Sequence, residues 1–151
     1  MLRLTRVTSD DPDFQALVRL LDHDLRVRDG ADHAFYAQFN KIDLIKHAVV
    51  AYLDNEPVGC GAIKVFDEEA MEVKRMFVQP AHRGQGVARA VLTELERWTR
   101  ALGYAACVLE TGKKQPEAIR LYQKCGYALT PNYGQYVGVE NSVCMRKAVP
   151  A

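Results

Sequence analysis

The residues best equipped for chemistry fall between positions 71 and 127. The hexapeptide Arg83-Gly84-Gln85-Gly86-Val87-Ala88 stands between a strand-like run, AMEVKRMFVQP, and a long amphipathic helical pattern. A helix N-terminus exposes unpaired N–H groups and carries partial positive charge, so it suits an anion. Gly84 and Gly86 leave no Cβ to block a ligand's approach to that backbone, and Arg83 adds a guanidinium. Glycines also make plain turns, and the loop by itself leaves both readings open. Two rival phosphate motifs do not fit: GxxxxGK[ST] is absent, and GxGxxG would need a small residue where Arg89 stands.

Acid–base groups lie near this loop in sequence. Glu72 opens the strand that leads to it, and Glu110 stands in the next apolar run, YAACVLET. Tyr122 lies on the helical segment QPEAIRLYQKCGY; its phenol, with an ordinary pKa of about 10, is a proton donor at neutral pH. Other groups read as bland. His23, His33, His47 and His82 share no ligand spacing, and Cys60, Cys107, Cys125 and Cys144 form no CxxC, so no metal is expected. Cys125 has no neighbouring histidine base and reads as a buried thiol rather than a nucleophile.

The elements that must position these groups follow from periodicity and punctuation. Leu2 to Thr8 reads as a strand, and SDDPDFQALVRLLDHDL as a helix with Ser9 or Asp10 as its N-cap and Pro12 in its first turn. A less regular helix or lid is expected over Ala31 to Leu44. HAVVAYLDNEPVGCGAIKVFD reads as a hairpin turning at Asp54-Asn55, and Pro80 stops the strand that follows. In the helix after the glycine loop, Val87, Val91, Leu95, Trp98 and Leu102 make an apolar stripe, with Arg89, Thr93, Glu96 and Arg100 turned to solvent. YAACVLET reads as a buried strand, a further helix runs from Pro116 to Gly126, and two last strands flank a loop of Pro131 to Gly138. At 151 residues the chain reads as one domain, 1–151, with a mixed α/β sheet.

The loop, the strand before it and the later helix together resemble the GCN5-related N-acetyltransferase (GNAT) family. Arg83-Gly84-x-Gly86-x-Ala88 matches the signature [QR]-x-x-G-x-[GA] when Arg83, Gly86 and Ala88 take its fixed places, and Ala118, Leu121, Tyr122, Gly126 and Tyr127 match A-x-x-L-Y-x-x-x-G-[FY]. The resemblance is strongest from Met71 to Tyr127 and weakest over Ala31 to Leu44. It implies a mostly antiparallel mixed sheet of about six or seven strands, flanked by about four helices, with acetyl-coenzyme A bound by a core over about 71–127. It implies cofactor contacts from Met76, Phe77, Val78, Arg83, Gly84, Gln85, Gly86, Val87, Ala88, Gln115, Tyr122 and Lys124. Gln115 stands where relatives often carry asparagine and offers the same amide one methylene further out.

The same resemblance gives Tyr122 the role of acid to the leaving thiolate. Glu72 is either general base or an anchor for the substrate ammonium, with Glu110 ranked second. Tyr133, Tyr136, Asn141, Tyr36 and Asn40 are candidate acceptor contacts. The expected reaction is direct acetyl transfer from acetyl-CoA to a primary amine of a small molecule or amino acid. A protein or peptide acceptor, or a coenzyme-A-binding module without turnover, stays open.

Charge and composition bound the partners. Lys+Arg 20 against Asp+Glu 19 leaves a net charge of +1, without the basic excess of a nucleic-acid binder. No run approaches the ~18 apolar residues of a membrane span. The expectation is a cytoplasmic protein with a small-molecule amine substrate and neither nucleic acid nor membrane as partner; exposed last strands leave a homodimer open.

Overall fold

The computed structural model describes residues 1–29 and 45–150; the expected lid over 31–44, with Tyr36 and Asn40, lies outside them. Seven strands form one sheet: β1 (Leu2–Val7), β2 (His47–Leu53), β3 (Glu56–Val65), β4 (Ala70–Val78), β5 (Ala106–Gly112), β6 (Ala128–Thr130) and β7 (Ser142–Ala148), in the order β1-β2-β3-β4-β5-β7-β6. Every pairing is antiparallel except β4 with β5. Three α-helices are described, α1 (Pro12–Asp29), α2 (Val87–Ala101) and α3 (Pro116–Lys124), one fewer than the four expected. Among the described residues no helix is long and apolar enough to cross a membrane.

Two-residue alternation sorts side chains onto the two faces of the sheet. From β2, Ala48 and Val50 pack with Phe14, Leu17, Val18 and Leu21 of α1. Val49 and Ala51 point the other way, into the core that holds Val87, Val91, Leu92 and Leu95 of α2 and Tyr122 of α3. The hairpin between β2 and β3 turns at Asp54 and Asn55, both at positive φ, as the sequence suggested.

Two local expectations need correction. The N-cap of α1 is Asp11, whose Oδ2 accepts from the Phe14 N–H at 2.9 Å, and not Ser9 or Asp10. Pro12 occupies the first helical position, so the cap falls on the residue immediately before it. On α2, Glu96 is buried rather than solvent-facing. Its carboxylate accepts from the Tyr127 hydroxyl at 3.0 Å and from Lys147 Nζ at 2.9 Å, so two donors from the far end of the chain compensate its burial. Leu102, placed on the apolar stripe by its spacing, sits at the helix C-cap and is exposed.

Two features of β4 shape the centre of the molecule. It pairs with β5 through only three residue pairs, Ala70↔Ala106, Met71↔Cys107 and Glu72↔Val108. Beyond them β4 continues along β3 to Val78, β5 continues along β7 to Gly112, and the two strands part. The second feature is a bulge. Ala62 pairs with Lys74 and Cys60 with Phe77, so Arg75 and Met76 together oppose Gly61. Arg75 takes a left-handed φ of 61° there. Gly61 is required by close approach: a Cβ on it would lie 2.5 Å from Met76 Sδ and 2.9 Å from both Leu95 Cδ1 and Val91 Cγ1.

Gly61→Ala is therefore expected to lower stability by about 1–3 kcal/mol through overpacking. Urea unfolding checks it, and adding Met76→Ala should recover part of the loss by clearing the nearest atom.

Candidate active site

The parting of β4 and β5 opens two adjoining cavities that share Leu21, Met76, Gln115, Ala118 and Tyr122. The larger, about 420 Å³, runs from Met76-Phe77-Val78 of β4 to the glycine loop and the start of α2, with α1 and α3 as its sides. The smaller, about 120 Å³, lies deeper, between Glu72 to Met76 of β4 and Glu110 to Gly112 of β5.

Open backbone defines the mouth of the larger cavity. Gly84 and Gly86 sit at φ 79° and 83°, and a Cβ on either would meet nothing within 4 Å. Backbone strain, and not crowding, is what asks for glycine here. Gly86 occupies the N-cap of α2 and no side chain caps the helix, so its first-turn N–H groups are left for a ligand. Cationic side chains from three directions line the same mouth: Arg28, Arg83 and Arg89, with His82 beside them. Arg83 donates from Nε to the Val78 carbonyl at 2.9 Å and lies 3.9 Å from Asp24. Arg28 pairs with Asp24 at 3.4 Å and with Glu117, bridging α1 to α3. An anionic ligand with an elongated tail matches this combination of uncapped helix, arginines and cleft.

Tyr122 lines both cavities. Burial above all, then the Cys125 thiol and the Glu110 carboxylate, pushes its hydroxyl well above the ordinary phenol pKa. It therefore keeps its proton at neutral pH and remains available as a donor.

The smaller cavity is unusually charged for its size. Glu72 is 4% exposed; its Oε2 accepts from the Tyr133 hydroxyl at 2.8 Å and its Oε1 lies 4.0 Å from Lys74 Nζ. Burial first, then Glu72, raises the Tyr133 pKa, so Tyr133 acts as donor in that bond. Burial lowers the Lys74 pKa, with Glu72 opposing. Tyr136 is buried on the wall and its pKa is raised, by burial and then by the charges of Glu110 and Glu72. Arg75 donates from Nη1 to Asp22 Oδ1 of α1 at 2.9 Å.

Most of the residues singled out in the sequence meet here. Met76, Phe77, Val78, Arg83, Gly84, Gly86, Val87, Ala88, Gln115 and Tyr122 line the larger cavity, and Glu72, Glu110 and Tyr136 the smaller. Tyr133 reaches the site through Glu72, and Asn141 lies against Gly112, near Gln115. Gln85 is exposed in the loop and Lys124 in the last turn of α3; neither lines a cavity. Sequence reasoning missed Lys74 and Arg75, and all of α1's contribution: Leu21, Leu25, Asp24 and Arg28. The pair Lys74-Arg75, two residues after Glu72 in a strand whose remaining residues are apolar, was the available signal.

Comparisons with known proteins give the family and the fold. The model of the acetyltransferase (GNAT) family matches residues 14–127. The IAA acetyltransferase of Azospirillum brasilense is 43% identical over 100 residues, which cover 66% of this chain and 65% of that protein, so the chain spans less than two thirds of that relative's length. A solved structure of an acyl-CoA N-acyltransferase from Klebsiella pneumoniae superposes with a TM-score of 0.82 at 31% identity, covering 99% of this chain and 98% of that one. The paia N-acetyltransferase of Thermoplasma acidophilum, solved with coenzyme A, shares the fold at 14% identity, with a TM-score of 0.72 over 98% of this chain and 99% of that one.

Tyr133→Phe should cost about 1.5–3 kcal/mol of stability, the worth of a hydrogen bond to a charged group, because it removes a donor from buried Glu72. Chemical denaturation reads it, and an unchanged unfolding midpoint would show the Tyr133–Glu72 bond to be without consequence.

Proposed function

This chain belongs to the acetyltransferase (GNAT) family, and on that premise we propose that it moves an acetyl group from acetyl-CoA to the primary amine of a small molecule by direct attack. The observation that carries the proposal is the position of Tyr122, lining both a cleft suited to a phosphorylated, elongated donor and a small charged cavity suited to an amine.

The residues present fit coenzyme A. The first-turn N–H groups of α2, with Gly84 and Gly86 open to approach, would hold the pyrophosphate, and Arg83 would leave Asp24 to join them. Backbone groups of Met76, Phe77 and Val78, on the edge that β5 leaves behind, would pair with the pantetheine arm as an added strand does. Acetyl-CoA supplies the activated thioester carbonyl.

The chain's own groups meet the three demands of amine acetylation. An ammonium has no lone pair and must lose its proton first; Glu72 and Glu110 line the acceptor cavity as the carboxylates that would attract it and pass that proton on. A β4 backbone N–H near Met76 would donate to the oxyanion as the amine adds to the carbonyl. Tyr122 then would protonate the departing sulfur, and its raised pKa means it holds that proton until it is needed. Direct attack is favoured over an acyl-enzyme because none of Cys60, Cys107, Cys125 and Cys144 lines either cavity.

Acetyl-CoA at 100 times its dissociation constant should stabilise the fold by about 2.7 kcal/mol, a rise in Tm of several degrees. Tyr122→Phe should keep that shift while losing turnover, on the order of 10²–10⁴-fold, in a thiol-release assay with an amine panel. Because the phenol pKa is raised, Tyr122 contributes no alkaline limb to kcat below about pH 10. Equal turnover in wild type and variant would remove Tyr122 from the mechanism, and absence of any thermal shift would remove the donor.

A further inference from the structure

Arg75 is a buried charge constrained at both backbone and side chain. Its side chain is 2% exposed, and its backbone is held at φ 61° in the β4 bulge. Its carbonyl accepts from Cys60 Sγ at 3.3 Å, and Nη1 is committed to Asp22. Its Nε is buried and finds no hydrogen-bond partner among the described residues. A buried guanidinium N–H without an acceptor is costly, and the Arg75–Asp22 pair alone does not require that arrangement. The residue lines the smaller cavity beside Lys74, across from Glu110 and Thr111 of β5.

We propose that the acceptor is a small amino-carboxylate, with Arg75 receiving its carboxylate and Glu72 and Glu110 receiving its amine end. The proposal rests on the acetyl-transfer reading of the same cavity. Three features support it. A planar guanidinium with one Nη engaged still offers Nε–H, and a carboxylate is the acceptor whose geometry suits that fork. The cavity lining pairs two acids, Glu72 and Glu110, with two bases, Lys74 and Arg75, so a zwitterion complements it where a bare ammonium leaves the Arg75 Nε–H without an acceptor. A space of about 120 Å³ takes a small molecule, not a folded protein surface. The protons and bonds balance: the ammonium's first proton passes through Glu72 or Glu110 to solvent, the freed amine nitrogen forms a bond to the acetyl carbon, the carbon–sulfur bond breaks, and the second proton lost from nitrogen is matched by the one gained on sulfur. The carboxylate takes no part in the bond changes; it fixes the amine's position.

The test uses matched triplets of acid, amide and simple amine: L-alanine, L-alaninamide and ethylamine; L-phenylalanine, L-phenylalaninamide and 2-phenylethylamine; L-leucine, L-leucinamide and 3-methylbutylamine. Thiol release is followed at saturating acetyl-CoA. The amide's amine is the less basic, so chemistry alone favours it over the acid. In at least one triplet the α-amino acid should exceed its amide in kcat/KM by at least about ten-fold, mostly through KM. Arg75→Gln should bring that ratio to within about two-fold of one. Arg75→Lys, which keeps a charge for Asp22 but loses the Nε–H, should lower it too. If Arg75→Gln does not fold, the wild-type ratio and Arg75→Lys decide.

Amides and simple amines matching the acids throughout would overturn the proposal, and would be the result if a buried water satisfies Nε. A ratio that survives in both variants would also overturn it. No thiol release from any triplet overturns it as well: with the acetyl-CoA thermal shift intact, only the acceptor assignment falls, and without that shift the acetyl-transfer reading falls with it.

Discussion

Three residue pairs join β4 to β5, and the site exists because there are no more. A parallel pair that continued would fill the centre of the sheet with backbone hydrogen bonds and leave no cleft. Here β4 keeps β3 as its partner and β5 keeps β7, so each strand remains satisfied on one side while the edges between them face open space. The parting needs a reason to persist, since free strand edges tend to close. The bulge at Arg75 and Met76 bends β4 away just beyond the last pair, and the anchoring of Arg75 to Asp22 ties that bend to α1. Gly61, with no side chain to oppose Met76, permits it.

Buried charge follows the same geometry. Glu72, Arg75 and Glu96 are each nearly inaccessible, and each meets a partner from a distant part of the chain: Tyr133, Asp22, and Tyr127 with Lys147. Such pairs add little net stability over apolar replacements, but breaking one is costly, so they specify arrangement more than they add strength. The Glu96 cluster holds the end of α3 and β7 against α2, well inside the fold. The other two stand at the fork of the strands, where exact placement of charge matters for chemistry. By contrast, the pairs across the mouth of the larger cavity, Arg28 with Asp24 and Arg83 with Asp24, are partly exposed. Pairs of that kind are weak and screened, which leaves the arginines able to exchange Asp24 for an arriving anion.

Much of this was legible in the primary structure. Hydrophobic alternation located the strands and the apolar spacing of α2 its buried face. The glycine loop marked a helix start with no capping side chain, and Tyr122 stood out by its place in the α3 pattern. The errors were local. The cap, expected at Ser9 or Asp10, falls on Asp11 because Pro12 takes the first helical position, and Glu96 was read as solvent-facing because its spacing cannot show Tyr127 and Lys147 approaching from 31 and 51 positions away.

The sequence by itself determined what depends on neighbours along the chain: strands, helices, the turn at Asp54-Asn55, the strain-tolerant glycines at the start of α2, and the inventory of groups able to bind phosphate or move a proton. Only the tertiary structure decided which of those groups share a cavity. Lys74 and Arg75 looked like ordinary charges on a strand until the bulge turned Arg75 inward, and α1 carried no mark of a site until it packed over β4. The physical reason is that burial, the partner of a buried charge and the place where two strands separate are set by segments far apart in sequence. No local pattern records the distance between them.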